Sequence, residues 1–109
     1  MKTNSPEDAE IIVQKLPCDV GIHRNPRKGT LDAPEEILED YTFGAKYLLD
    51  DVFPDEFSLE NTQKRIRENT DDLANYDKPI LSIGGDHSIS YPVISALKEK
   101  HPNLVVVWL

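Results

Sequence analysis

The sequence predicts an α/β domain with a parallel sheet and helices on its faces. Three observations predict it. Short β-prone runs at 9–16, 79–83 and 104–109 are mostly continuous in their apolar residues, as in strands buried on both faces. The segments between them repeat apolar residues at helical spacing. Finally, Gly84-Gly85-Asp86-His87-Ser88 follows the second run. That puts an acid and an imidazole at the carboxyl end of a strand, where open α/β sheets bind their ligands.

Taken in order, Ala9–Leu16 reads as the first strand, stopped by Pro17. Residues 17–33 show no periodicity and contain Pro17, Gly21, Pro26 and Gly29. A loop that long is often functional. A first helix is expected from Pro34, with Ile37, Tyr41, Ala45, Leu48, Leu49 and Val52 on one face, Gly44 as its weak point and Pro54 beyond its end. Ser58 is the expected cap of a second helix whose narrow stripe is Leu59, Ile66 and Leu73. Glu60–Lys64 and Lys64–Glu68 have the spacing of supporting ion pairs. Pro79–Ile83 is the second strand, expected to be buried. A third helix follows, capped by Ser88 or Ser90 so that Pro92 stays in its first turn. Its apolar face is Ile89, Val93, Ala96 and Leu97, and His101-Pro102-Asn103 ends it. Leu104–Leu109 is the expected third strand, fully buried.

That last strand is anomalous, because chain ends are usually polar and exposed. An unpaired apolar strand is also an aggregation hazard. The expectation is therefore that residues 1–109 are the front part of a larger α/β domain.

Composition narrows the function. Of the 109 residues, 39% are hydrophobic and 29% charged, an ordinary balance for a globular domain. The net charge of -8 argues against nucleic acid, whose phosphates need clustered Lys and Arg. His23–Lys28 is the nearest basic cluster and reads as a solvated loop or a small anion site. No run reaches the roughly 20 apolar residues of a membrane span. Cys18 is the one cysteine, which excludes an internal disulfide. With no apolar leader in Met1–Asp8, a cytoplasmic location is expected.

The glycine turn matches neither a dinucleotide fingerprint nor a phosphate-cradling loop, since the further Gly and the Gly-Lys-Ser/Thr they need are absent. It is not a nucleophile elbow, which needs Gly-x-Ser-x-Gly. What remains is His87 beside Asp86. Histidine is the commonest nitrogen ligand of transition metals, so His87 is a candidate ligand. A lone histidine is more often structural or merely exposed. Asp86 can serve only its own turn, and Ser88 is most simply a cap.

Ser82-Ile83-Gly84-Gly85-Asp86-His87-Ser88-Ile89 with Pro92-Val93-Ile94 resembles the first metal-ligand motif of the ureohydrolases, the family of arginases, agmatinases and formimidoylglutamases. Leu16–Gly21 resembles its Pro-x-Asp-x-Gly signature, with Cys18 where an aromatic is common. Gly29–Ile37 resembles its Gly-x-x-x-Gly-Pro-x-x-Ile element, with Ala33 in place of Gly. His101–Leu109 is similar to the strand that leads into an Asp-Ala-His-x-Asp motif.

The resemblance implies a three-layer α/β/α fold with a parallel sheet, arginase-like, of which residues 1–109 supply the first three strands and stop before the second metal-ligand motif. It implies a pair of manganese ions that activate water for attack on the carbon of a small cationic guanidino substrate, releasing urea and an amine. It makes His87 a ligand of one ion and puts Asp86 beside it, supporting that ligand. No catalytic or substrate-binding residue carries over. One imidazole is too little for two hard cations, so the chain alone is expected to be inactive. Asp19 and His87 should share the rim at the carboxyl ends of the strands. Agmatine is the expected substrate and arginine the next, in an enzyme that is a homo-oligomer when full length. The alternative is a non-catalytic truncated relative, or a half-domain that pairs with another chain.

Overall fold

The computed structural model describes residues 2–18, 33–39, 44–55 and 57–107. Within them four parallel strands form one sheet: β1 (Lys2–Thr3), β2 (Ile11–Leu16), β3 (Tyr47–Asp51) and β4 (Ile80–Gly84), in the order β1-β3-β2-β4. Helices α1 (Ala33–Glu39), α2 (Leu59–Ala74) and α3 (Ser90–Lys100) complete the chain order, with a 3₁₀ turn at His87–Ile89 before α3.

β2 is the centre. It pairs with β3 from Ile11↔Tyr47 to Lys15↔Asp51 and with β4 from Ile12↔Ile80 to Leu16↔Gly84. Side chains alternate between the faces of a strand. Leu16 points to the side of Ile66 on α2, and these two with Val52 form the core, against which Ile89 and Val93 pack. Gln14 shares that face: its Nε2 donates to Asn69 Oδ1 (2.9 Å) and Thr70 Oγ1 (2.8 Å), and its Oε1 accepts from Ser82 Oγ (2.7 Å). Lys15 points to the other face, where its Nζ pairs with Glu35 of α1 and with Asp51 (3.2 Å). Helices therefore cover both faces of a parallel sheet, as expected.

Local chemistry explains α2 well. Ser58 Oγ accepts from Asn61 N (3.1 Å), the cap read from the sequence. Its buried stripe is wider than the expected one, because Thr62 and Thr70 are buried alongside Ile66 and Leu73. Both hydroxyls are satisfied locally: Thr62 Oγ1 donates to Ser58 O (2.9 Å) and Thr70 Oγ1 to Ile66 O (2.8 Å). Among the described residues the ion pairs are Lys15–Glu35, Lys15–Asp51 and Arg67–Glu99, so the expected pairs around Lys64 do not form.

Four expectations are corrected. The first helix is described over Ala33–Glu39, and Leu48 and Leu49, expected on it, lie on β3 instead. Pairing to β2 and β1 overrides a helical spacing that was too short to decide. Lys2–Thr3 is also a strand, paired with Tyr47 and Leu48, where no strand was expected. β4 is half-buried rather than buried, with Leu81 40% exposed, because it is the edge strand among the described residues. Residues 104–107 form no strand, and Val105 and Val107 are 79% and 76% exposed. β-propensity is expressed only against a neighbouring strand, and none lies beside them among the described residues. Lys98 Nζ instead donates to Pro102 O (2.6 Å), tying the preceding turn to α3.

Candidate metal-ligand corner

Because the strands are parallel, their carboxyl ends share one rim. His87 stands there, three residues past Gly84, the last residue of β4, and it is exposed. The corner that carries it is made by close backbone contact. Gly85 has φ +73°, and a Cβ on it would lie 2.5 Å from Leu16 O and 2.8 Å from Cys18 O. Only glycine fits that approach in that conformation. Asp86 N donates to Cys18 O (2.7 Å), closing the corner onto the end of β2.

Asp86 is 93% buried by contrast with its neighbour, having 7% exposure. Its Oδ1 accepts from Ser88 N (2.8 Å) and also from Ser88 Oγ. Its Oδ2 lies 4.0 Å from Cys18 Sγ. The carboxylate thus caps the 3₁₀ turn, which corrects the expected capping role of Ser88 or Ser90; α3 itself begins after Ile89 with no side-chain cap. Aspartate competes well for this place because its short acceptor reaches the N–H two residues on. From the other side, Gln63 Nε2 of α2 donates to Ser88 O (3.1 Å). Ser90 Oγ is 3.5 Å from His87 Nδ1. His101 is the exposed C-cap of α3.

Spacing singled out His87 and Asp86, and the fold brings them together at one corner with opposite exposures. Gln63 was missed. A polar residue on a helix has no signature for reaching a turn 25 residues on, and only the packing of α2 against the corner reveals it. Asp19, His23 and the basic cluster lie outside the described residues, as do Tyr41, Trp108 and Leu109. Among the described residues no three His, Cys, Asp or Glu side chains gather to hold a metal. An exposed imidazole on a rigid corner fits one coordination position, and these residues supply no complete centre.

Of the other charged groups, Lys15 is held above the ordinary lysine range, first by its hydrogen bond to Glu35 and against the effect of burial, with Asp51 adding to the rise. Asp55 is held below the usual carboxylate range by hydrogen bonds from Asn61 and from Phe57 N. Among the described residues no helix is long and apolar enough to cross a membrane.

Comparison with known proteins places this geometry. The model of the arginase family matches residues 9–109. Mitochondrial agmatinase of Gallus gallus is 28% identical over 79% of this chain and 29% of its own length. Arginase-1 of Xenopus laevis is 31% identical over 77% of this chain and 33% of its own. The crystal structure of Trypanosoma cruzi formiminoglutamase with Mn2+ superposes with a TM-score of 0.75 at 21% identity, over 92% of this chain and 38% of that one. The chain thus spans about a third of the length of the curated relatives it matches. A match over nearly all its residues, on the same parallel-sheet fold, means that this chain belongs to the arginase family.

Proposed function

We propose that residues 1–109 form the front part of a manganese-dependent ureohydrolase domain, with His87 a ligand of one of two ions. The observation that carries this reading is an exposed imidazole fixed at the rim by a corner that tolerates only glycine. Bound manganese supplies Lewis acidity that makes water a usable nucleophile near neutral pH. This chain's own part is to hold one imidazole in place while the remaining ligands come from elsewhere in the polypeptide. The substrate is a small guanidino compound, agmatine first and arginine second, and a net charge of -8 suits a cation. The arginase-family match and relatives named agmatinase and arginase support the class of reaction. A cytoplasmic location completes the proposal, in keeping with a single cysteine.

The test uses the complete gene product that contains this chain. Urea release is measured with agmatine and with arginine, before and after manganese loading. Manganese-dependent release with agmatine the better substrate is expected. The 109-residue chain alone is expected to release none. A complete product that folds, takes up no manganese and releases no urea from either compound would overturn the proposal and favour a non-catalytic module.

A further inference from the structure

Ser88 is gripped from three directions. Its N–H and its hydroxyl both donate to Asp86 Oδ1, and its carbonyl accepts from Gln63 Nε2 of α2. His87 lies between the two residues of the first grip. The Asp86 carboxylate is buried and both of its oxygens face protein groups, Oδ1 toward Ser88 and Oδ2 toward the Cys18 thiol. Such an acid is badly placed to reach an ion at the rim. It is well placed to fix the backbone on either side of the imidazole. Gln63 extends the brace from the corner to α2, which is seated on the sheet by Gln14, Thr70 and Ile66.

Resting on the reading of His87 as a metal ligand, we propose that Asp86 and Gln63 are positioning residues that act through Ser88 and do not touch the metal. Groups that orient a ligand from behind typically change metal affinity by about 10- to 100-fold when removed. The brace predicts a graded series. Asp86→Asn keeps an acceptor oxygen for Ser88, so it retains both ions with affinity within about threefold of the parent. Asp86→Ala removes the acceptor and weakens one ion by about 10- to 100-fold. Gln63→Leu removes one ordinary hydrogen bond and weakens the same ion by about fivefold.

The experiment is manganese titration of the complete gene product, read by calorimetry and by the electron paramagnetic resonance spectrum of the bound ions. Circular dichroism of each variant serves as the folding control. His87→Ala is run alongside. If His87→Ala keeps both ions at parental affinity, the ligand reading fails whatever Asp86 does. If His87→Ala loses one ion, the brace is judged separately. Asp86→Asn losing an ion as completely as His87→Ala would make Asp86 a ligand and overturn the proposal. Parental affinity in both Asp86→Ala and Gln63→Leu would overturn it too. Should Asp86→Ala fail to fold, Gln63→Leu decides alone: fivefold weakening of one ion supports the brace and parental affinity removes it.

Discussion

Two clusters hold the carboxyl end of β2 to its neighbours, and they do so with different materials. At the glycine corner the contact is backbone on backbone: Gly85 lies over the Leu16 and Cys18 carbonyls, and Asp86 N donates to Cys18 O. On the opposite face the contact is made by long side chains. Lys15 reaches Glu35 and Asp51, whose side chains are 72% and 38% exposed. The first arrangement has no slack, because a single methyl group would collide with main-chain atoms that cannot swing away. The second can rearrange, since water can replace either carboxylate. A side chain that must be aimed is better carried by the first kind of contact, and His87 is.

Substitutions can break or sharpen that contrast. The largest effect is expected at the corner. Gly85→Ala meets both a left-handed conformation and a main-chain clash, and should destabilise the fold by roughly 3 kcal/mol or more in denaturant titration. A loss below about 1 kcal/mol would show that the corner yields and would dissolve the contrast.

Lys15→Met, which keeps the apolar stem, should cost about 1 to 2 kcal/mol, because the partners left behind are solvated. A loss as large as that of Gly85→Ala would place the two clusters in one class. The pH dependence has a definite sign. The folded-state pKa of Lys15 is raised above the ordinary value of 10.5, so its contribution is complete below that value and lost as pH climbs through the raised one. The difference in thermal midpoint between the parent and Lys15→Met should therefore stay constant from neutral pH to about 10 and shrink only above the ordinary lysine value. A difference that shrinks near neutrality would assign the effect to another group.

The smallest effect is expected at Arg67–Glu99, an exposed pair joining α2 to α3 at 2.6 Å. Arg67→Ala should leave the thermal midpoint almost unchanged, and any difference should fade in high salt. A loss that rivals that of Lys15→Met would mean that an exposed ion pair counts for as much here as the Lys15 cluster.

The same contrast explains which parts of the molecule were legible in the amino-acid order. Ser58 and Pro92 act on residues within a few positions of themselves, and the positive φ of Gly85 is a local demand of its turn, so these roles could be read directly, whereas the contact of Gly85 with Leu16 O and Cys18 O could not. The corner, α2, α3 and the presence of β2 and β4 follow from such signals. β3 could not be read, because Tyr47–Asp51 becomes a strand only by pairing with β2 and β1. Val105–Val107 shows the converse: the composition is that of a strand, and no ladder partner stands beside it among the described residues. At the site, the place of His87 just beyond β4 was legible from its motif, and so was the service of Asp86 to its own turn, but not its precedence over Ser88 as the cap. Ser88 looks the better cap in one dimension, and only the fold shows the aspartate accepting its hydrogen bonds. Gln63 left no trace at all, since its partner is a carbonyl on another element.

Anomalous diffraction at the manganese edge, on crystals of the complete gene product grown with manganese, tests the central claim most directly. Two anomalous peaks are expected at the carboxyl rim of the sheet, one of them in coordination contact with the His87 imidazole and neither touching the Asp86 carboxylate. Two peaks with His87 turned away from both, or no peak at that rim, would contradict it.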